Sequence, residues 1–265
     1  MVLSLRIIQP GLVRVGRIRY VNGQQVYPTY EGFTSIVVMT RSSQYGALGP
    51  YELRDEQGRI FENVWQFNKV YEQIPEAHEV YTQRCRIPVW DHPAETHVKD
   101  GNFTPEFWAW RHKGLTHNLP VRYPVGIRNR HTCRFAIPDT TVSPQPNGEG
   151  PVATNSVEHL DYVQSRKRTY LPEYIRLASQ QPLFKELQQR HRSGENLLII
   201  EMDGPCIESL YYYQAVYNVP DNFIDKDTII ASHDNMKIML NDPIRAFGHG
   251  YCLAIGIQGF DLNTL

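Results

Sequence analysis

Long apolar runs are missing from this chain: no stretch approaches the roughly 18 consecutive apolar residues that a membrane-spanning helix requires. An excess of one charge is missing too. With 27 lysines and arginines against 28 aspartates and glutamates, the formal net charge is −1. That removes any global pull toward nucleic acid or an anionic membrane and leaves room only for local basic patches. Cysteine is sparse: Cys85, Cys133, Cys206 and Cys252 are widely spaced and form no C-x-x-C pair, so free thiols in an intracellular, cytoplasmic protein are expected. The G-x-G-x-x-G, Walker A and G-x-S-x-G motifs are absent as well, which argues against a Rossmann oxidoreductase, a P-loop enzyme and an α/β-hydrolase. Met1–Arg6 lacks a signal-peptide core and reads as the opening of a strand. There is no internal repeat.

What is present is a chain of 265 residues, 41% hydrophobic, long enough to bury a sizeable core in one large domain or two small ones. A single domain is expected over 1–265. Sixteen tyrosines, 4 tryptophans and 10 phenylalanines supply large contact area and flat faces suited to a nucleobase, although an aromatic-rich core accounts for most of them.

The first 40 residues look strand-like. Leu12–Tyr20 alternates apolar and polar residues, Asn22-Gly23 is a hairpin turn, and Ile36–Met39 is a short buried run. Asp55–Gly58 is a further turn, and a helix follows it, ending near Pro75. A second helix over Trp108–Gly114 is expected to close on its glycine. Residues 137–152 hold four prolines and two glycines, the composition of a long exposed loop. Beyond it helices dominate: Pro172 and Pro182 sit near first-turn positions, and Gly194 ends the second of these helices. Leu197–Ile200 is a buried strand that delivers Glu201–Pro205 to a tight turn. Helices over 209–218 and 234–241 follow. The expected fold is α+β, mainly helical, with a small N-terminal antiparallel sheet.

The helix after the Asp55–Gly58 turn carries the most informative pattern. Glu62, Gln66 and Lys69 fall at i, i+4 and i+7 and project from one stripe. Val64, Phe67, Tyr71 and Ile74 form its apolar side, with Phe61 and Trp65 at the edge. Such a stripe is either a solvated face or, given so many aromatic neighbours, a small polar pocket of acid, amide and amine beside a ligand.

Tyr45–Leu53, the Gln57-Gly58 turn, and then Glu62 with Gln66 and Lys69 together resemble the signature region of the NADAR family (NAD- and ADP-ribose-associated), which includes the YbiA-type N-glycosidases. The resemblance covers about residues 43–72. Asn63 stands where the family has a histidine after the glutamate, and Phe61 where it has a serine. The family's late acidic residue and W-G-x-G-like loop have counterparts in Glu201 or Asp203 and in Phe247–Gly250, where the tryptophan is lacking. The W-Q-F-x-K-V-Y and G-H-G-Y-C runs also look like an uncharacterised family of large DNA viruses and phages, which would place the protein in a host cytoplasm.

The NADAR resemblance implies hydrolysis of an N-glycosidic bond in an ADP-ribose-type or ribosyl-phosphate nucleotide, including removal of ADP-ribose from a nucleobase. That chemistry passes through an oxocarbenium-like transition state. Glu62 would stabilise its charge or orient water, with Asp203 or Glu201 as a second carboxylate. Lys69 would hold a phosphate or keep Glu62 ionised. Gln66 and His249 would contact substrate, and Trp65 or Tyr45 would stack on the base. Arg41 and Arg122 are candidate phosphate ligands, each also readable as an ordinary surface arginine. Asp203-Gly204 is equally a turn in its own right. His92, Glu95 and His97 are the densest metal-capable group, but Pro93 breaks any helical i, i+4 spacing. A loop that lines the pocket or is simply structural fits better, and the expected reaction uses no metal and no cofactor. The partners implied are a nucleotide or ADP-ribosylated substrate, with nucleic acid as a modified substrate, and no membrane. The rival readings are an enzymatically silent ADP-ribose or nucleotide-binding module and a virus-encoded structural or interaction protein.

Overall fold

A computed structural model describes residues 9–39, 44–76, 90–141 and 152–265. The protein is a mixture of helix and sheet, and no helix among the described residues is long and apolar enough to cross a membrane. Two compact units emerge: unit 1 takes in both ends of the chain, Met1–Glu52 and Leu171–Leu265, and unit 2 is the contiguous segment Leu53–Tyr170.

Unit 1 is organised by a four-stranded sheet. Its central strand is Leu197–Glu201, every residue of which is buried. Beside it run β1 (Val13–Arg17) and β4 (Thr34–Val37), both parallel to it, and Thr228–Ile230 pairs antiparallel with β1 at one edge. The expected N-terminal antiparallel sheet is thereby corrected. β1 and β4 do not pair with each other, because a strand from the second half of the chain separates them. A continuous apolar run such as Leu197-Leu198-Ile199-Ile200 suits that place, since a parallel strand is covered on both faces. The antiparallel part of the N-terminal region is the hairpin of β2 (Arg19–Val21) and β3 (Gln24–Val26). Asn22 (φ 50°) and Gly23 (φ 79°) supply the two left-handed residues that a tight hairpin turn demands.

Helix His249–Gln258 packs on this sheet and is buried from His249 to Ile257. A helix apolar on every side belongs in a core, and helices Leu171–Ala178 and Pro182–Arg192 cover it further. Gly256 permits this packing, because a Cβ there would lie 3.1 Å from the Phe184 ring. The Pro182 start and the left-handed Gly194 (φ 92°) after Arg192 match expectation.

Unit 2 is built around α1 (Phe61–Phe67), β5 (Lys69–Tyr71) and α2 (Pro105–Leu115). The Asp55–Gly58 turn precedes α1 as expected, with the Gly58 amide donating to the Asp55 carbonyl. Two expectations need correction. α1 stops at Phe67 instead of running toward Pro75, and the chain turns into β5, which pairs antiparallel with Cys133–Ala136. Gly114 does not end α2; the helix continues to Leu115 and is capped by Thr116. Gly114 is small because the Phe67 ring lies over it.

That ring is the centre of an aromatic core. Phe67 meets Trp90 at 4.8 Å and Trp110 at 4.7 Å between centroids, and Phe103 stacks on Phe107 at 4.7 Å. The proline-rich loop lies mostly outside the described residues, which stop at Thr141 and resume at Val152.

A Cβ on Gly114 would fall 2.0 Å from a Phe67 ring carbon, and a ring wedged between two tryptophans cannot retreat. Gly114→Ala is therefore expected to destabilise the protein by about 1–3 kcal/mol, despite alanine's better helix propensity. Urea denaturation measures the difference; equal or greater stability of the variant would disprove the packing argument.

Candidate functional site

α1 places its acidic residue in its first turn and buries almost its whole length. Glu62 is 6% exposed and Gln66 8%, so the polar stripe is not a solvated face. The Gln66 amide nitrogen donates to Glu62 Oε1 at 2.8 Å, and Lys69 Nζ donates to Gln66 Oε1 at 2.8 Å. Gln66 thus reads both charges at once, using its donor on the carboxylate and its acceptor on the ammonium. Lys69 lies on β5 and not on the helix, so it reaches Gln66 from the strand that follows and sits 4.7 Å from the centre of the Trp65 ring. Trp65 in turn lies against Tyr170, centroids 4.8 Å apart. Burial lowers the proton affinity of the Lys69 ammonium below its ordinary range, opposed by the nearby Cys133 thiol and the Glu62 carboxylate. An amine so placed gives up its proton more readily than a surface lysine.

Two asparagines fix this helix. Asn63 is fully buried; its amide nitrogen donates to the carbonyls of His117 (3.1 Å) and Leu119 (3.0 Å), and its oxygen accepts from the Val121 amide at 2.8 Å. It therefore holds the segment that leads directly into Arg122. Asn68, one residue past α1, donates to the Val64 carbonyl (2.9 Å) and to Asp139 Oδ1 (3.0 Å) and accepts from Arg111 Nε (2.9 Å). Arg59 grips the same Asp139 through both terminal nitrogens, at 3.1 and 2.6 Å. Despite its burial, the Asp139 carboxyl is held below its ordinary range by Arg59, Asn68 and Arg111. Sequence reasoning passed over Asn68, Asp139, Arg59 and Arg111. Asn63 was visible only as a departure from the family's histidine.

The remaining expected site residues fall differently. Arg122 is half-buried in unit 2, its guanidinium 5.2 Å from the centre of the Tyr123 ring. Arg41 lies outside the described residues. Tyr45, in unit 1, is 1% exposed and accepts a hydrogen bond from Arg190 at 2.8 Å, so it presents no ring face for a base. Asp203 is half-buried in the bend after strand Leu197–Glu201.

Glu201 and His249 do come together, within unit 1. Glu201 is fully buried, accepts the Gly250 amide on Oε1 at 2.9 Å, and has His249 Nδ1 3.2 Å from Oε2. His249 Nε2 donates to the Val38 carbonyl at 2.7 Å. The expected loop at Phe247–Gly250 is in fact a helix start, with Gly248 as its N-cap. A Cβ on Gly248 would lie 2.3 Å from Glu201 Oε2, so the glycines exist to let a buried carboxylate meet the positive end of the helix. This pair reads as a structural cap.

The His92–His97 segment is structural as well. His92 stacks on Trp90 (5.8 Å, 6° between planes), and His97 meets Phe107 and Trp110 edge-on. Glu95 separates the imidazoles, with Oε2 3.2 Å from His97 Nε2 and Oε1 3.6 Å from His92 Nε2. Among the described residues, three metal-capable atoms gather within 4.8 Å only at Cys206, Glu208 and Asp227. There the Arg19 guanidinium binds both carboxylates and supplies the cation itself. Cys133, Cys206 and Cys252 are free thiols, while Cys85 lies outside the described residues.

Truncating Asn63 removes three hydrogen bonds and leaves the Val121 amide without its acceptor. Asn63→Ala is expected to cost about 2–3 kcal/mol, read as a lowered urea midpoint; a change within error would show that the clamp contributes nothing. A second expectation concerns acid. Burial and the neighbouring His92 push His97 down to about 3 from its ordinary 6.5. The unfolded chain therefore takes up a proton below pH 6.5 that the folded chain refuses, and stability declines as pH falls from 6.5 toward 3, by up to ~1.4 kcal/mol per pH unit. His97→Gln should flatten that slope in urea titrations, and an unchanged slope would assign the acid sensitivity elsewhere.

Comparison of the chain with protein-family models, with curated proteins and with solved structures returned no match.

Proposed function

We propose that this protein is an N-glycosidase acting on a ribosyl-phosphate or ADP-ribose-type nucleotide, with Glu62 as the carboxylate that faces the developing positive charge. The observation that carries this reading is a buried carboxylate in a fixed orientation: Glu62, 6% exposed, tied through Gln66 to the Lys69 ammonium. A carboxylate stabilises an oxocarbenium-like ribose only if it stays ionised and in place. The Gln66 donor and the nearby ammonium favour the ionised form.

In this mechanism the C–N bond to the base breaks, Glu62 offsets the charge on the ribose and orients the attacking water, and the base leaves with a proton. Lys69, its proton affinity lowered by burial, is the amine suited to polarise or protonate the leaving group. Trp65, half-buried beside the Lys69 ammonium, offers the aromatic face for the base. Arg122, presented by the segment that Asn63 holds, is the phosphate contact.

The expected outcome for Glu62→Gln is a fall in kcat of at least about 10²-fold with KM little changed, followed as free base released from ADP-ribosylated bases and ribosyl-phosphate nucleotides. Undiminished turnover in Glu62→Gln would remove Glu62 from the mechanism. Tight calorimetric binding of ADP-ribose without turnover by the wild type would replace the enzyme with a binding module.

A further inference from the structure

Charge in this chain is nearly balanced overall but unevenly distributed. Between Glu106 and Asp139 there is no acidic residue, while the same stretch carries Arg111, Lys113, Arg122, Arg128, Arg130 and Arg134. Two of these are spent internally: Arg111 on Asn68 and Asp139, and Arg134 on Glu72. Lys113, Arg128 and Arg130 are different. All three are exposed and make no ion pair with any described residue. Lys113 lies over the Trp90 ring at 4.7 Å, and the Arg130 contact is a long one, 3.5 Å to the Ile127 carbonyl. Elsewhere arginines are routinely paired: Arg19, Arg59, Arg168, Arg176 and Arg190 each hold a carboxylate.

The backbone beneath these cations is fixed. Asn63 clamps 117–121. Successive turns then lock 123–132 through Gly126 to Tyr123, Asn129 to Gly126 and Thr132 to Asn129, and the Asn129 side chain donates to the Val125 carbonyl. Arg128 and Arg130 thus stand on a backbone already braced and Lys113 on the last turn of α2, and none of the three has a carboxylate among the described residues to give up on meeting external anions.

We propose that the 113–131 face of unit 2 docks a nucleic-acid strand through its phosphates. Exposed cations with no paired carboxylate among the described residues suit the phosphates of a strand, and such contacts supply most of sequence-independent affinity. The half-buried Tyr123 and exposed His131 add flat rings within the same segment. Lys113, Arg128 and Arg130 are distinct from the residues assigned to the Glu62 site, of which only Arg122 falls in this segment, so this docking is tested without the glycosidase reading. If both hold, the bond cleaved belongs to a modified nucleotide within a strand.

The experiment is fluorescence anisotropy of a labelled single-stranded oligonucleotide, and of its duplex, with the full chain. Three phosphate contacts predict a slope of log K against log salt of about −2.1 for the single strand and about −2.7 for the duplex, that is about twentyfold and about fortyfold weaker binding between about 50 and 200 mM salt. The Lys113→Glu/Arg128→Glu/Arg130→Glu variant is expected to bind at least about twentyfold more weakly at the lower salt, with an unchanged circular dichroism spectrum. Glu62→Gln is expected to bind as the wild type does, whatever its turnover. Because a triple variant can fold poorly, Arg128→Gln alone provides a second reading, lowering the slope by about one. Absence of binding at the lower salt, or a slope that none of these changes alters, overturns the proposal. So does binding to phosphatidylserine vesicles in preference to both oligonucleotides.

Discussion

The buried amide of Asn68 is the constraint on which unit 2 depends. It accepts from Arg111 and donates to Asp139 and to the Val64 carbonyl, while the main-chain carbonyl of Asn68 accepts from the Ile137 amide. By bonding back to Val64 it ends α1 at Phe67 and turns the chain into β5. Lys69 thereby meets Gln66 from a strand, held by the ladder to Cys133–Ala136. One polar side chain, satisfied on all sides, decides where the charge of the site lies.

Two of the carboxylates singled out by sequence, Glu62 and Glu201, have opposite fates because of what surrounds them. Glu62 sits in the first turn of a seven-residue helix, next to an amide and an ammonium. Glu201 ends the central strand of the parallel set and is enclosed by Gly248, Gly250 and His249. Helix dipole and backbone amide compensate its burial, which leaves it a packing role at the strand ends. Both are acids in buried settings; Glu62 faces an amide and, through it, an ammonium, whereas Glu201 faces a helix N-terminus and an imidazole.

Local pattern carried a good deal of this structure. The Asn22-Gly23 hairpin, the buried Leu197–Ile200 run, the Pro182 helix with its Gly194 stop and the Glu62–Gln66 pair at i, i+4 follow from spacings within a few residues, whereas Lys69 joins that pair from β5 and not from the helical stripe. What was not legible depends on partners far away along the chain. The end of α1 is set by Asp139 and Arg111, 71 and 43 positions from Asn68. The sheet order is set by Leu197–Glu201 inserting beside β1, a pairing of Val13 with Leu197 that no local alternation announces. Tyr45 is a stacking candidate in the sequence only through the NADAR-like stretch it opens; Arg190, 145 positions on, donates to its hydroxyl instead.

The discontinuity of unit 1 has a consequence for how the chain is made. β1 and β4 leave the ribosome well before their sheet partners, and neither has a neighbour in the sheet until Leu197–Glu201 has followed, while β1 gains its second only with Thr228–Ile230. Unit 2 is contiguous, and its helix–helix and strand–strand contacts are complete by Tyr170. Loop closure over some 180 residues is entropically slow, whereas local contacts form early. Nascent chains therefore carry two unpaired strands, with Val13, Val15 and Ile36 uncovered, until Leu197–Glu201 is made, an interval in which edge-to-edge association with other nascent chains competes with completion of the sheet.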